Sequence, residues 1–162
     1  MTIEQVIKKG LIRTFEKLFD LDKFKFEKIC IEQDVVQNIC LLSKENHPNE
    51  FLAFLDGAIK NKKLTITGLL YQEYYATDRS AAPIFHFPDK SFFGSIHSHP
   101  GPSNRPSNAD REFFRKIGVI NAIICKPYNI ENIRFYNNEG EEIDVEILPE
   151  ENTTKSEIIK RE

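Results

Sequence analysis

The chain has 162 residues, 40% hydrophobic and 29% charged with both signs mixed, which suits one folded domain and argues against disorder. Twenty-two Lys and Arg against 25 Asp and Glu give a formal net charge of -3, so there is no basic footprint for nucleic acid. No apolar run approaches the ~18 residues of a membrane span, and the first twenty residues scatter charge among apolar positions, unlike a signal peptide. Cys30, Cys40 and Cys125 form no close cluster, which argues against both a disulfide scaffold and a thiolate zinc site and leaves them as small buried apolar residues. A soluble, cytoplasmic protein is expected.

In chain order, Thr2 and Gln5 open a capping box, and Ile3, Val6, Ile7, Leu11, Phe15 and Leu18 recur at helical spacing, predicting an amphipathic helix to about Phe19. Lys23 to Ile31 alternates imperfectly as a strand. Val35, Val36, Ile39, Cys40 and Leu42 mark a helix from Gln33 to about Glu45, ended by Asn46-His47-Pro48-Asn49. Glu50 to Leu55 reads as a short strand stopping at Asp56-Gly57, and Leu64 to Tyr71 as its hairpin partner. Thr77 to Lys90 is an extended loop, Ser91 to His97 a strand, and His99 to Pro106 a loop with three prolines. Ser107 caps a helix that turns Phe113, Phe114 and Ile117 inward and stops at Gly118. Val119 to Cys125, nearly all apolar, predicts a strand buried on both faces. Ile133 and Phe135, then Ile143, Val145 and Ile147, alternate around an Asn-Asn-Glu-Gly turn as a last hairpin. The interleaving defines an α/β or α+β class built on one mixed sheet flanked by helices.

One constellation carries chemistry. His97 and His99, two apart on a strand, project to the same face and can offer two imidazole nitrogens to one metal. A loop of seven residues follows, then Ser107-Asn-Ala-Asp110, with Asp110 in the first turn of a helix, where a carboxylate is electrostatically favoured. Two histidines and one carboxylate with an open fourth position is the composition of a catalytic zinc site. Ser107-x-x-Asp110 is equally a capping motif, and the two uses are compatible because cap and ligand employ different atoms. His47 and His86, without an evident partner, read as structural or solvated. Shuffling this composition yields His-x-His-x7-Ser-x2-Asp in roughly 2 of every 10,000 sequences, so the motif is specific.

His97-Ser98-His99-Pro100, the seven-residue spacing to Ser107, and Asp110 resemble the motif of the JAMM (MPN+) zinc metalloproteases. Glu50, in His47-Pro48-Asn49-Glu50-Phe51, is similar to the family's upstream glutamate, and the likeness runs from about Lys28 to Leu148. The resemblance is to the compact prokaryotic type. It implies a single MPN/JAMM domain over 23–148 with cytidine-deaminase-like layering, preceded by a helical extension (1–22) and followed by a charged tail (149–162). It further implies one Zn2+ on His97, His99 and Asp110, Glu50 as general base, and Ser107 as stabiliser of the oxyanion. The implied activity is cleavage after the Gly-Gly tail of a ubiquitin-like modifier or sulfur-carrier protein, with that protein and its conjugates as partners and neither nucleic acid nor membrane involved.

About eight residues separate Asp110 from Val119, so the second insertion of the chain-specific eukaryotic deubiquitinases is absent. Thr77 to Lys90 stands where the family's first insertion contributes to the substrate groove, and Phe85, His86 and Phe87 either touch a modifier tail or pack on the sheet. The first helix lies outside the resemblance and packs on this domain or on a partner. Two other classes compete: a non-catalytic scaffold with a vestigial or structural zinc, and a zinc nucleobase deaminase. The deaminase requires a Pro-Cys-x-x-Cys ligand pair, which Cys125-Lys126-Pro127 does not supply.

Overall fold

The computed structural model describes residues 26–71 and 92–150. The helix expected over 2–19, the loop 77–90 with Phe85, His86 and Phe87, and the tail beyond Glu150 lie outside the described residues.

Eight strands form one mixed sheet: β1 (Lys28–Glu32), β2 (Leu52–Lys60), β3 (Lys63–Leu70), β4 (Gly94–His99), β5 (Ile120–Cys125), β6 (Ile133–Tyr136), β7 (Glu142–Ile143) and β8 (Glu146–Leu148). Their spatial order is β7-β6-β5-β4-β2-β3-β1-β8. Helix α1 (Gln33–Asn46) connects β1 to β2, and α2 (Asn108–Ile117) connects β4 to the parallel β5.

The two edges of this sheet nearly meet. β7 lies against β6 at one edge and β8 lies parallel to β1 at the other, yet only Asp144 and Val145 separate them. Three Cα steps span at most about 11 Å, so the sheet must curl until its edges face each other. That curl overturns the single last hairpin expected from alternation. Ile143 pairs with Phe135, but Ile147 pairs with Ile31 across the gap. Alternation records which face a residue uses and not which neighbour its strand selects.

The curl wraps α1. Val35, Val36, Ile39 and Cys40 pack against Ile31, Ala53, Leu55, Leu64, Ile66, Ile96, Ala122 and Ile124 in one continuous core. On the other face of β5, Ile123 meets Phe114 of α2 and Tyr136 of β6. Every residue of β5 is therefore buried, as its apolar run predicts.

Strand limits differ from expectation: β1 begins at Lys28, with Phe26 and Glu27 outside the strand expected from Lys23, and two other differences have a visible cause. β2 does not stop at Asp56-Gly57 but passes through a bulge there, where Asp56 Oδ1 accepts the Gly57 amide (2.9 Å). A Cβ on Gly57 would lie 2.2 Å from the Thr65 carbonyl oxygen, so this glycine allows close strand approach rather than ending the strand. The turn comes later, at Asn61-Lys62, both left-handed (φ 51° and 60°), as a two-residue hairpin loop requires. β4 spans Gly94–His99 rather than 91–97, because its start is set by Gly94 lying against Ile120 of β5.

A Cβ on Gly94 would fall 1.4 Å from the Ile120 carbonyl oxygen and 2.5 Å from its carbon. Both contacts are backbone and cannot swing aside. Gly94→Ala is therefore expected to part β4 from β5 at a cost of about 3 kcal/mol or more, lowering Tm by roughly 10 °C. Scanning calorimetry checks this. An unchanged Tm would mean that the two strands are not packed so closely.

Candidate metal centre

On β4, Ile96 faces the α1 core, so Ser95, His97 and His99 face the opposite side, towards α2. α2 begins where it does because Ser107 caps it: Ser107 Oγ accepts the Asp110 amide (3.2 Å), and the Ser107 amide donates to Asp110 Oδ2 (2.6 Å). This capping box turns the Asp110 carboxylate back towards the strand, and Phe114, one turn on, is wholly buried with its ring 6.1 Å from that of His97.

The intervening loop, 100–106, is fastened to β5 and β6. The Lys126 amide donates to the Gly101 carbonyl (3.1 Å), the Cys125 thiol to that of Pro102 (3.3 Å), and the Tyr136 hydroxyl to that of Asn104 (2.7 Å). Three prolines further restrict the loop, so little conformational entropy is left to lose on holding a ligand.

Three donor groups converge as a result. His97 Nε2 lies 3.0 Å from Asp110 Oδ1, His99 Nε2 lies 3.5 Å from Asp110 Oδ2, and the two Nε2 atoms are 3.1 Å apart. His99 Nδ1 donates to the Ser103 carbonyl (2.9 Å), which can only accept. The neutral His99 ring therefore presents a bare lone pair at Nε2, the atom facing Asp110. Lone pairs and a carboxylate aimed at one point repel unless a proton or a cation lies between them. A tetrahedral ion with bonds of about 2.0–2.2 Å sets its donors roughly 3.3 Å apart, close to the three separations here. The donor set thus fits a zinc ion, with the Ser103 carbonyl as the outer partner that fixes a ligand's tautomer.

The electrostatics agree. Burial pushes the Asp110 carboxyl up, but hydrogen bonds from His97, His99 and the Ser107 side chain outweigh it and hold the group well below the usual carboxylate range. His99 is raised, first by its hydrogen bond to Asp110, against burial, with the Ser103 carbonyl and the charges of Asp110 and Glu50 adding.

Glu50 stands two residues before β2. The register pairs Leu52 with His97, and the ladder extends one step further, with the Ser98 amide donating to the Phe51 carbonyl (2.9 Å) and the Phe51 amide to Ser98 Oγ (2.8 Å). Glu50 is the next residue back along this link, and its charge acts on His99. Ser98, buried and tying the two strands together, was not singled out by the sequence; nor was the contact between His47 Nδ1 and the Tyr128 hydroxyl (3.0 Å), which gives His47 a partner. Neither has a local sequence signal, since each joins segments distant along the chain.

The family model described as prokaryotic homologues of the JAB domain matches residues 32–139. A protein of Haloferax volcanii named a probable metalloprotease is 32% identical over 136 residues, covering 75% of this chain and 81% of its own. Among solved structures, a JAB1/MPN domain protein from Archaeoglobus fulgidus superposes with a TM-score of 0.58 at 28% identity, covering 75% of this chain and 98% of that one. A structure described as a JAMM metalloprotease-like zinc site in the proteasome and signalosome gives 0.59 at 30% identity, covering 75% and 99%. The fold and the His-His-Asp group together define a metalloprotease-like domain able to hold zinc. The chain belongs to the JAB/MPN domain family, in its prokaryotic branch. Among the described residues no helix is long and apolar enough to cross a membrane.

Proposed function

We propose that this protein is a zinc-dependent peptidase or isopeptidase that hydrolyses the bond after the C-terminal Gly-Gly tail of a ubiquitin-like modifier or sulfur-carrier protein. The observation that carries the reading is the convergence of His97, His99 and Asp110, supported by Glu50 lying two residues before Leu52, which pairs with His97. His97, His99 and Asp110 hold the metal, and zinc bound there supplies Lewis-acid polarisation of a carbonyl and of water. Glu50 accepts a proton from the attacking water and passes it to the leaving amine. The Ser107 hydroxyl accepts the Asp110 amide, and it donates its own hydrogen to the developing oxyanion during the reaction. A modifier tail bound as an added strand would need glycines where the groove admits no side chain. A scaffold that binds without cutting has no use for a carboxylate at position 50.

A fluorogenic isopeptide ending in Gly-Gly linked to a lysine amine tests this reading. Cleavage that a chelator abolishes and zinc restores is expected, as is failure to cleave a probe with Ala as its last residue before the bond. No cleavage by zinc-loaded protein, either of this probe or of a modifier conjugate, would contradict it. Ser107→Ala is expected to keep its zinc, lose roughly 10²–10³-fold in kcat, and lose about 1 kcal/mol of stability with the cap. Unchanged kcat with the lowered stability would leave Ser107 a helix cap alone.

A further inference from the structure

We propose that His47 and Tyr128 form a clamp that positions the Glu50 carboxylate beside His99, making both of them positioning residues for the hydrolysis. The proposal rests on Glu50 serving as the general base. Glu50 is carried on a short link between α1 and β2. Ser98 grips the far end of that link through the Phe51 amide and carbonyl. At the near end, His47 is the residue that closes α1, and the Asn49 amide donates back to the Asn46 carbonyl (2.8 Å). The first pair of bonds ties the link to β4, and the last holds it to the end of α1. The His47–Tyr128 hydrogen bond (3.0 Å, ring centroids 5.8 Å apart) ties the link across to a different part of the fold.

Tyr128 is fixed in turn. Its amide donates to the Cys125 carbonyl (2.8 Å), and Cys125 lies beside His99 in the parallel β4–β5 register. The clamp thus runs from the strand next to a metal ligand to the loop that carries the base. Tyr128 also has φ of 65°, in the left-handed region that Gly or Asn adopts at far lower cost. The surrounding structure holds it there: its side chain is 3% exposed, packs in the α1 core and brings its hydroxyl to His47. Glu50 bears on this group as well: after burial and Cys125, its charge contributes to raising the Tyr128 hydroxyl, as it does His99.

The test compares Tyr128→Phe, which removes only the hydroxyl, and His47→Ala with the wild type, using the Gly-Gly isopeptide probe and amide hydrogen exchange at Asn49 and Phe51. Each variant is expected to keep its zinc, lose about 10-fold in kcat with little change in KM, and exchange those amides several-fold faster. His47→Gln, which keeps a hydrogen-bonding partner for the hydroxyl, recovers part of the loss. In a Glu50→Gln background Tyr128→Phe causes no further drop, because there is no base left to position. Unchanged kcat in both variants, with or without faster exchange, would overturn the clamp. Normal hydrolysis by Glu50→Gln would instead overturn the reading on which the clamp rests, so the two failures are distinguishable.

Discussion

Glu50→Gln is expected to leave zinc bound and lower kcat by about 10²–10⁴-fold, the usual contribution of a positioned general base. The substitution preserves size and hydrogen bonding but removes the basic oxygen. Glu50 is exposed, two residues before β2, and is not among the three converging donors, so its carboxylate is not needed to complete the metal set. Its position follows from a backbone ladder continuous from Leu55 to Leu52 and held one step further by Ser98. Gln occupies that position unchanged. Single-turnover kinetics on the isopeptide probe, with zinc measured on the same sample, separate catalysis from metal loss. Near-normal turnover at full zinc would remove Glu50 from the proton transfers.

Asp110→Asn is expected to cost more than the 10–100-fold in zinc affinity associated with an outer-shell partner, and to lose activity in proportion at limiting zinc. In the wild type this carboxylate lies 3.0 and 3.5 Å from the two imidazoles while also accepting the Ser107 amide. An amide side chain can still accept that amide, so α2 should start at the same residue, losing only the ~0.3–1 kcal/mol of a charge at a helix N-terminus. Because zinc stabilises only the folded chain that binds it, adding zinc should raise the Tm of the wild type far more than that of the variant. Equal zinc-induced shifts would show that Asp110 is not a ligand.

Local features were the most legible in the sequence. The helix read from Gln33 to about Glu45 ends at Asn46, and the Ser107 cap and the stop at Gly118 bound α2 as expected. Each of these depends on neighbours within a turn. Period-two alternation also sufficed to put His97 and His99 on one face. What escaped were decisions made by distant segments. Gly57 continues β2 instead of ending it because β3 approaches closely at Thr65, and β4 begins at Gly94 because β5 packs against it. The crossing from β7 to β8 is set by the curl of the whole sheet. Glu50 enters the reading by resemblance, and the β2–β4 register, which ends with Leu52 against His97, brings its segment alongside the histidine strand. The partner of His47 lies 81 residues away.

The most direct test is the zinc content of purified protein by elemental analysis, on the wild type and on a His97→Ala, His99→Ala double variant. About one zinc per wild-type chain, lost in the variant, is the result expected of a metalloprotease-like centre on His97, His99 and Asp110. No zinc in the wild type after the metal is supplied, or equal zinc in the variant, would contradict it.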